Sequence, residues 1–530
     1  MLLPWIAGAA SLFISYLFTR LRYKRFSQYA YFPQMAPSLV LGHLKVMGDF
    51  VKVGKENGHP DLAFKAVNEA LGQPPLMLMD LRPFGPAMVV IRSHELAEQV
   101  AKAYRHLPYS LPKMPEVYGH MVHVTGPTTI LNAQGEQWKQ LRRRFNNGFA
   151  HQHLMTFLPT ILEKSINFTD HLDQIAASKR SFSMVGLTGN LVFDIIASVT
   201  MNVDFGAQNE VAGGKAPNND FVTTYRELFE TYAGEQMDLP WFFTPFTEWK
   251  RSRLAKKLRA TLRGVVREAY AKSADQKTKP RSILSLSLEE LLHSEQISEM
   301  LPPRVIDEAC DQLSTFLFAG HDTTSILLSY MFYEISRTPH AAAAIRKEMD
   351  DIFGPDSTLS DVRKKLLSNE NQECLNKMTY TTAVVKETLR LWPPAGSARL
   401  TIPGAGITVS APNGETYNLE GVSIYNCHIM IQRDPAVYGD SANDWVPERW
   451  LDKSQSDKIP ASAWRPFERG PRNCIGQGLV EIEARVIMAL VIRRYDFIKV
   501  GLGAPMMDEA GNVSSNKYGQ YKVASEMYPV

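Results

Sequence analysis

The chain has 530 residues, enough for several domains, of which 45% are hydrophobic and 21% charged. This composition is that of a globular protein and excludes an intrinsically disordered chain. The net charge of +3 gives no general attraction to nucleic acid, so we expect no nucleic-acid partner. Four cysteines cannot form a disulfide scaffold in a chain of this length, which favours a reducing compartment.

The N-terminal segment is apolar. Residues 2–19 carry no charge, and as a helix they would span about 27 Å, close to the thickness of an endoplasmic reticulum bilayer. A basic cluster follows: Arg20, Arg22, Lys24 and Arg25. By the positive-inside rule, these residues and everything after them face the cytosol. We predict a transmembrane signal-anchor over 1–20, a basic, proline-containing linker over 21–38 and one large domain over 39–530; the alternative is that the apolar segment is a buried core helix.

Helical patterns dominate the rest of the chain, with a minor β component. The expected elements, in chain order, are a β-like run at 87–91, a long Pro- and Gly-rich loop at 107–130, helices within 133–205 and 222–274, two long helices within 304–350, strand and loop over 400–450, a helix at 477–494 and a strand-like end. No linker separates two cores, so the sequence predicts a mainly α fold with a minor β region.

The most specific motif runs from Phe467 to Gly476 and reads F-x-x-G-x-R-x-C-x-G. Each fixed position suits a thiolate that binds a metal through Cys474. Gly470 and Gly476 allow a tight turn whose N–H groups point at the sulfur. Arg472 can neutralise an acidic group beside the metal, and Phe467 can shield the sulfur from water. The helix that follows presents its N-terminus, which favours negative charge.

This motif resembles the haem-binding signature of the cytochrome P-450 superfamily, the haem-thiolate monooxygenases. The resemblance implies the cytochrome P-450 fold, haem b as cofactor and Cys474 as axial ligand to iron, an arrangement that favours O–O cleavage. It also implies that Phe467, Arg472 and Gly476 contribute to cofactor binding. The remaining cysteines lack this context and are expected to be ordinary buried thiols: Cys310, Cys374 and Cys427.

A second motif lies inside a long apolar helix, where Ala319-Gly320-His321-Asp322-Thr323-Thr324 combines small residues, an acid and two hydroxyls. These residues disfavour a helix interior, which suggests a functional reason for their presence. The motif is similar to the oxygen-activation motif of the same family. The resemblance implies that Thr323 hydrogen-bonds dioxygen and that Asp322 helps to deliver protons. His321 occupies a variable position of the motif and is expected to be a bystander.

Two further pairs have helical spacing. Glu387 and Arg390 form E-x-x-R, and in the family a downstream arginine, here Arg449, joins them in a buried structural network; a surface salt bridge is the alternative. Trp138 and Arg142 form W-x-x-x-R, a pair that contacts a haem propionate in the family.

Arg399 and Arg472 complete the cations that two propionates need. The neighbouring Arg143 and Arg144 either face a reductase or are simply solvated.

The resemblance implies a substrate and partners as well. The segments expected to form the pocket are apolar, which fits a lipophilic substrate such as a polyketide, terpenoid or alkaloid intermediate. The combination of a membrane anchor with this form of the thiolate motif resembles fungal enzymes of secondary metabolism. The chain has no dinucleotide-binding motif, so we expect electrons from a separate NADPH-dependent flavoprotein reductase. The expected location is the endoplasmic reticulum membrane, with a single pass and a cytosolic catalytic domain.

The segment from Trp241 to Arg259 suits either a membrane interface or a place in the core with one solvated face. Aromatic residues precede a basic helix here: Trp241, Phe242, Phe243 and Phe246, then Lys250, Arg251, Arg253, Lys256, Lys257 and Arg259.

The leading functional hypothesis is a monooxygenase. The alternatives are a haem-thiolate isomerase or dehydratase that works without reductase, and a non-enzymatic haem protein.

Overall fold

The computed structural model describes residues 2–53, 59–104, 107–114, 119–209, 220–232, 243–274, 282–295, 301–402 and 404–523. Helices make up most of this part of the chain, as the sequence predicts. The first elements are α1 (Leu2–Phe26), α2 (Leu44–Val53), α3 (Pro60–Ala70), β1 (Leu76–Asp80), β2 (Ala87–Ile91), α4 (His94–Ala101), α5 (Val122–Thr125), α6 (Gly135–Asn146), α7 (His151–Met155), α8 (Leu158–Ser178), α9 (Met184–Met201), α10 (Asp220–Glu230) and α11 (Pro245–Ala274).

The second half begins with helices and then adds short strands. Its elements are α12 (Ile283–Glu295), α13 (Pro303–Ser336), α14 (Pro339–Phe353), α15 (Leu359–Leu366), α16 (Asn371–Lys377), α17 (Thr379–Leu391), β3 (Ser397–Leu400), β4 (Thr408–Ser410), β5 (Thr416–Asn418), β6 (Ser423–Asn426), α18 (His428–Ile431), α19 (Pro435–Tyr438), α20 (Lys453–Ser456) and α21 (Gln477–Val491). Short 3-10 turns lie at Ala207–Asn209, Gly439–Ser441, Pro447–Trp450 and Gly501–Gly503.

Two small sheets supply the β region. The larger has the strand order β1-β2-β6-β3, in which β2 and β6 are parallel and the other pairs antiparallel. Every residue of β1 and β2 is buried. Alternate side chains pack against α4 on one face, as Leu78 does, and against α3 on the other, as Met77 does. Because both faces are covered, these strands are continuous apolar runs. The smaller sheet pairs β4 with β5.

The long helix α13 packs along α9, and this contact positions the site. Residues 191–201 of α9 are buried without interruption. The two helices approach closely at Gly320, where a Cβ atom would lie 2.7 Å from Cγ1 of Ile196. Glycine inside a helix costs about 1 kcal/mol relative to alanine, and this contact is a physical reason for accepting that cost.

Helix α9 also meets the length and hydropathy criteria for a membrane span, as the one helix that does so within the residues the structure describes. It is 67% buried in the protein, so its apolar character reflects its place in the core. Helix α1 is not identified by these criteria. Its apolar side chains nevertheless project away from the body: Trp5 is 80% exposed and Leu12 75%.

The end of α1 is fastened to the body. The helix continues past residue 20, where the predicted anchor ends, to Phe26, and Arg25 in its last turn enters a buried ion-pair network. Its Nη1 atom lies 2.6 Å from Oδ2 of Asp80, and its other nitrogens donate to backbone carbonyls. Arg82 Nε donates to Oδ1 of the same carboxylate at 2.8 Å. Burial raises the pKa of Asp80, but the two arginines outweigh this and hold it below its usual value.

The expected Glu–Arg–Arg network is confirmed. Glu387 is fully buried and accepts hydrogen bonds from Arg390 Nε (2.9 Å) and Nη2 (2.8 Å) and from Arg449 Nε (3.0 Å). Trp450 Nε1 and the Val446 N–H also donate to this carboxylate. The network ties α17 to the 3-10 turn at Pro447–Trp450.

Two stretches differ from the prediction. Residues 428–450, expected as strand and loop, form short helices, and Asp434 caps α19 by accepting from the Ala436 N–H, with Pro435 at the first helical position. The prediction was wrong because a four-residue helix has too few turns to show a period. The C-terminal end, expected as strand, has isolated bridges such as Met507 to Val513.

Candidate active site

One cavity brings most of the predicted site residues together. The cavity has a volume of about 260 Å³. It is lined by Trp138, Arg142, Thr323, Phe467, Arg472, Cys474 and Gly476. These residues come from α6, α13 and the loop before α21, which are distant in sequence. Asp322 and Arg399 adjoin the cavity without lining it.

The loop that carries Cys474 is a tight turn. Gly470 has a φ of 76°, and a Cβ atom there would lie 2.1 Å from the carbonyl oxygen of Ala101. Only glycine fits this position, because the obstructing atom belongs to the backbone. The Cys474 N–H donates to the Phe467 carbonyl at 2.8 Å and closes the loop.

Cys474 opens onto the cavity, which gives it accessible surface, while protein encloses the thiol on its other sides. This burial raises the pKa of Cys474. The backbone N–H groups of Gly476 and Gln477 and the charges of Arg142 and Lys113 oppose the rise. They supply the hydrogen bonds and positive potential that a thiolate needs.

Helix α13 forms another wall of the cavity through Ala319, Gly320, Thr323 and Thr324. The Thr323 hydroxyl donates to the Ala319 carbonyl at 2.8 Å, so its lone pairs remain available on the cavity side. Small residues before Thr323 leave space in the wall.

Asp322 and His321 lie on a different side of α13. His321 Nδ1 is 3.0 Å from the Leu317 carbonyl, and its ring contacts the aromatic rings of Phe193 and Tyr225. Burial raises the pKa of Asp322 and lowers that of His321, while the proximity of the two groups opposes both shifts. His321 does not line the cavity.

The predicted aromatic and cationic residues are held rigidly. Arg142 Nη1 donates to the Asn473 carbonyl at 2.7 Å. Arg472 Nη1 donates to Gln134 Oε1 at 2.7 Å, a contact that joins positions 338 residues apart, and its guanidinium lies 5.0 Å from the Trp138 ring centre. These contacts join the loop before α21 to α6 and to Gln134, the residue that precedes this helix.

Arg399 lies in β3, fully buried, and forms a backbone bridge with Lys113. The sequence analysis missed Lys113, which does line the cavity. Burial, followed by repulsion from Arg399, lowers the pKa of Lys113 well below its usual value. Its place in the Pro-rich loop at 107–130 was the available signal.

Three more ionisable residues that line the cavity were missed: His428, Glu468 and Glu483. Glu468 is ion-paired with Arg465 Nη2 at 2.6 Å. Glu483, on α21, is 1% exposed, and burial raises its pKa to about 8. The position of Glu468 inside the thiolate motif was a signal; His428 had none.

The charges around the cavity fit haem b. Three arginines lie at or beside it, Arg142, Arg399 and Arg472, together with Lys113, whose charge is disfavoured by burial and by Arg399 and would be favoured by an anion. Of the acids in its lining, Glu468 is ion-paired with Arg465, and burial disfavours the charged form of Glu483 by raising its pKa to about 8. Buried cations require anionic partners, so the cavity suits a ligand with carboxylates. Haem b has two propionates, an apolar macrocycle and an iron that accepts a thiolate.

Comparison with known proteins identifies the family. The cytochrome P-450 family model matches residues 40–523. The chain is 30% identical over 468 residues to the cytochrome P-450 monooxygenase acrF of Aspergillus aculeatus, with 83% of this chain and 87% of the relative covered. It is 26% identical over 511 residues to the cytochrome P-450 monooxygenase polC of Polytolypa hystricis, with 92% and 86% covered. The bifunctional cytochrome P-450/NADPH–P-450 reductase of Gibberella moniliformis is 29% identical over 314 residues, covering 58% of this chain and 25% of the relative.

The helical fold and the cavity with its single cysteine define a haem-thiolate protein. The chain belongs to the cytochrome P-450 family, oxidoreductases that incorporate oxygen from O2 and bind haem b through a cysteine thiolate.

Proposed function

We propose that the protein inserts one oxygen atom from O2 into a lipophilic small molecule, by hydroxylation, epoxidation or a related oxidation, with Cys474 as the ligand of the haem iron. The observation that carries the proposal is the place of Cys474. It opens onto the cavity that Gly320 and Thr323 also line, whereas the other three cysteines are buried elsewhere. Burial raises the pKa of Cys310 to about 12, which makes it a poor thiolate.

The residues around the cavity have complementary roles in this proposal. When bound, the haem supplies the redox chemistry that activates O2. Four side chains hold its propionates: Trp138, Arg142, Arg399 and Arg472. Phe467 covers the sulfur, and Gly476 directs its backbone N–H at the sulfur.

Thr323 and Asp322 handle protons. Cleavage of the O–O bond needs protons delivered in a site that otherwise excludes water. The Thr323 hydroxyl faces the cavity and is anchored to the Ala319 carbonyl. Asp322 is the next residue on α13, and burial raises its pKa, so it holds a proton more readily than an exposed aspartate. We assign the hydrogen bond to oxygen to Thr323 and the resupply of protons to Asp322.

The substrate is proposed to be lipophilic because much of the cavity wall is apolar. Ile130, Phe149, Phe316 and Leu327 contribute aliphatic and aromatic surface. Such a wall favours an apolar molecule oriented by few polar contacts. A polyketide, terpenoid or alkaloid intermediate of secondary metabolism fits this description.

Electrons are proposed to come from an NADPH-dependent flavoprotein reductase. The sequence has no dinucleotide-binding motif of its own. The relative from Gibberella moniliformis, whose name couples a cytochrome P-450 to such a reductase, supports this partnership.

We infer that α1 anchors the protein in the endoplasmic reticulum membrane, with residues 1–20 in the bilayer and the catalytic domain, 39–530, in the cytosol. The exposed apolar side chains of α1, including Ile6 and Phe13, are costly in water and suit lipid. The basic residues after position 19 match the cytosolic side. The linker role proposed for 21–38 is modified by the buried contact of Arg25, so the body is joined firmly to the anchor.

A second membrane contact is proposed at the start of α11. Phe246 is 86% exposed and Trp249 63%, next to exposed basic residues. Two residues of the predicted basic set face the body instead. Arg251 is 2% exposed and lies 3.7 Å from the Tyr232 ring centre, and Arg259 is ion-paired with Asp311. Trp241 and Phe242 lie outside the described residues.

The membrane proposal is tested with a variant lacking residues 2–22, which keeps Arg25 and its buried contacts. This variant is expected to retain partial association with vesicles, and adding Phe246→Ser and Trp249→Ser is expected to abolish it. A variant without residues 2–22 that is wholly soluble would rule out the second contact.

The enzymatic proposal is tested by reconstituting the full-length protein with an NADPH-dependent reductase and incubating it under ¹⁸O2 with a panel of polyketides, terpenoids and alkaloids. Products carrying one ¹⁸O atom, formed only with NADPH and reductase, are expected. Conversion without reductase and without label would support the isomerase or dehydratase alternative. Haem binding with no conversion of any compound would favour the alternative of a non-enzymatic haem protein.

A further inference from the structure

A buried histidine borders the cavity without a hydrogen-bonding partner. His428 is the first residue of α18, is 2% exposed and lines the same cavity as Cys474. Within the part of the chain that the structure describes, neither of its ring nitrogens makes a hydrogen bond. Burying an imidazole in this way is unfavourable unless a ligand satisfies it. The cavity that the ring faces is where such a ligand would come from.

The carboxylate beside His428 is fixed by a strained backbone. Glu468 has a φ of 55°, a left-handed conformation that is costly for a residue other than glycine. Arg465 holds its Oε1 atom, with Nε at 2.9 Å and Nη2 at 2.6 Å, and Asn426 Nδ2 donates to Oε2 at 3.1 Å. Oε2 lies 3.6 Å from Nε2 of His428, an ion-pair distance. The carboxylate is therefore placed to orient one edge of the ring, and Nδ1, on the other edge, has no hydrogen-bond partner within the described residues.

The surroundings of His428 favour a carboxylate at that place. Lys113 lines the cavity, and Arg399 acts electrostatically both on Lys113 and on Glu468. A carboxylate that entered the cavity, in addition to that of Glu468, would lie near these two basic side chains. Of the groups that haem b carries, only the propionates are anionic carboxylates.

We propose that His428 is a haem-positioning residue that donates a hydrogen bond from Nδ1 to a haem propionate, while Glu468 orients its ring through Nε2. The proposal rests on haem b as the family's cofactor and on the propionate arrangement proposed above. An imidazole ring has two nitrogens on opposite edges, so it can contact Glu468 through one of them and a propionate through the other. His428 would thus hold the haem through a propionate, in addition to Trp138 and Arg142.

The test compares His428→Phe and His428→Gln with wild type in the haem-loaded, full-length protein. The first readout is the rate of haem transfer to apomyoglobin, and the second is the propionate bending band in the resonance Raman spectrum. His428→Phe is expected to release haem about tenfold faster, the effect of losing one hydrogen bond to a charged group, and to shift the band. His428→Gln keeps an N–H donor and is expected to restore much of both.

A matched control separates positioning from general destabilisation. His43 is also fully buried but does not line the cavity, and its ring is bonded to the Met35 carbonyl and the Asp80 N–H. His43→Phe is expected to lower the melting temperature without changing the haem transfer rate or the propionate band.

The proposal fails if His428→Phe leaves both readouts at the wild-type values, or if His43→Phe changes them equally. If His428→Phe does not fold, His428→Ala decides, because an unshifted band in a variant that has lost the N–H donor contradicts contact with the propionate. Wild-type protein that binds haem without a thiolate spectrum would overturn the Cys474 assignment but not this one.

Discussion

Replacement of Glu387 tests how the helical core is held together behind the site. Glu387→Ala removes the acceptor for two buried cations, because Arg390 is 0% and Arg449 4% exposed. Breaking one partner of a buried ion pair costs about 3–5 kcal/mol, since the remaining charge cannot reach water. Glu387→Gln keeps the shape and one acceptor oxygen but loses the charge, so we expect a smaller loss of about 1.5–3 kcal/mol.

The measurement is the free energy of unfolding from urea titration, followed by far-UV circular dichroism. Asp351→Ala is the matched control, because it breaks an exposed i,i+4 pair with Lys347 in which the side chains are 64% and 76% exposed. Such pairs contribute below about 1 kcal/mol. A loss in Glu387→Ala no larger than that in Asp351→Ala would refute the structural role. Normal stability with lost turnover would instead indicate a catalytic one.

The same network has a pH dependence. Burial alone would raise the pKa of Glu387, but Arg390 and Arg449 hold it below its ordinary value of 4.5. A carboxyl whose pKa falls on folding stabilises the protein above its unfolded pKa. That stabilisation is lost as the pH falls below about 4.5 towards the folded value. Wild type should therefore lose more unfolding free energy than Glu387→Gln when the pH is lowered from 6 to 3.

Three other predictions follow from single contacts. Thr323→Ala should raise the amount of hydrogen peroxide formed per NADPH consumed at least severalfold, because reducing equivalents are diverted from product. Thr323→Ser keeps the hydroxyl and should stay close to wild type. The same peroxide yield in both variants would contradict the role of the hydroxyl. Gly320→Ala should destabilise the protein by about 1–3 kcal/mol through the clash with Ile196, and Ile196→Ala should relieve it in the double variant; additive losses would contradict the contact. Asp80→Ala should cost about 3–5 kcal/mol in urea titration because it strands Arg25, and a loss below 1 kcal/mol would show that α1 is not fastened there.

The sequence predicted the parts of the site that carry local patterns. Cys474 and Arg472 belong to one short motif, and Thr323 belongs to another on α13. Trp138 and Arg142 share a helix face because they are four residues apart. Their resemblance to one family implied that these distant segments meet, and the cavity brings them together.

The remaining site residues depend on long-range packing. Lys113 reaches the cavity by pairing with Arg399 across the edge of β3, which no local spacing encodes. His428 becomes significant only because the β6–α18 connection brings it to Glu468. Asp322 was grouped with Thr323, but the face of α13 that lines the cavity carries residues 319, 320, 323 and 324, and Asp322 lies outside that face.

The central claim is that Cys474 is the thiolate ligand of the haem. The most direct measurement is the carbon monoxide difference spectrum of the reduced protein, for wild type, Cys474→Ser and Cys374→Ser. Cys374 is the matched control, because it is buried away from the cavity. The account predicts the red-shifted Soret band of thiolate ligation in wild type and Cys374→Ser and its absence in Cys474→Ser. A shifted band that persists in Cys474→Ser would contradict it.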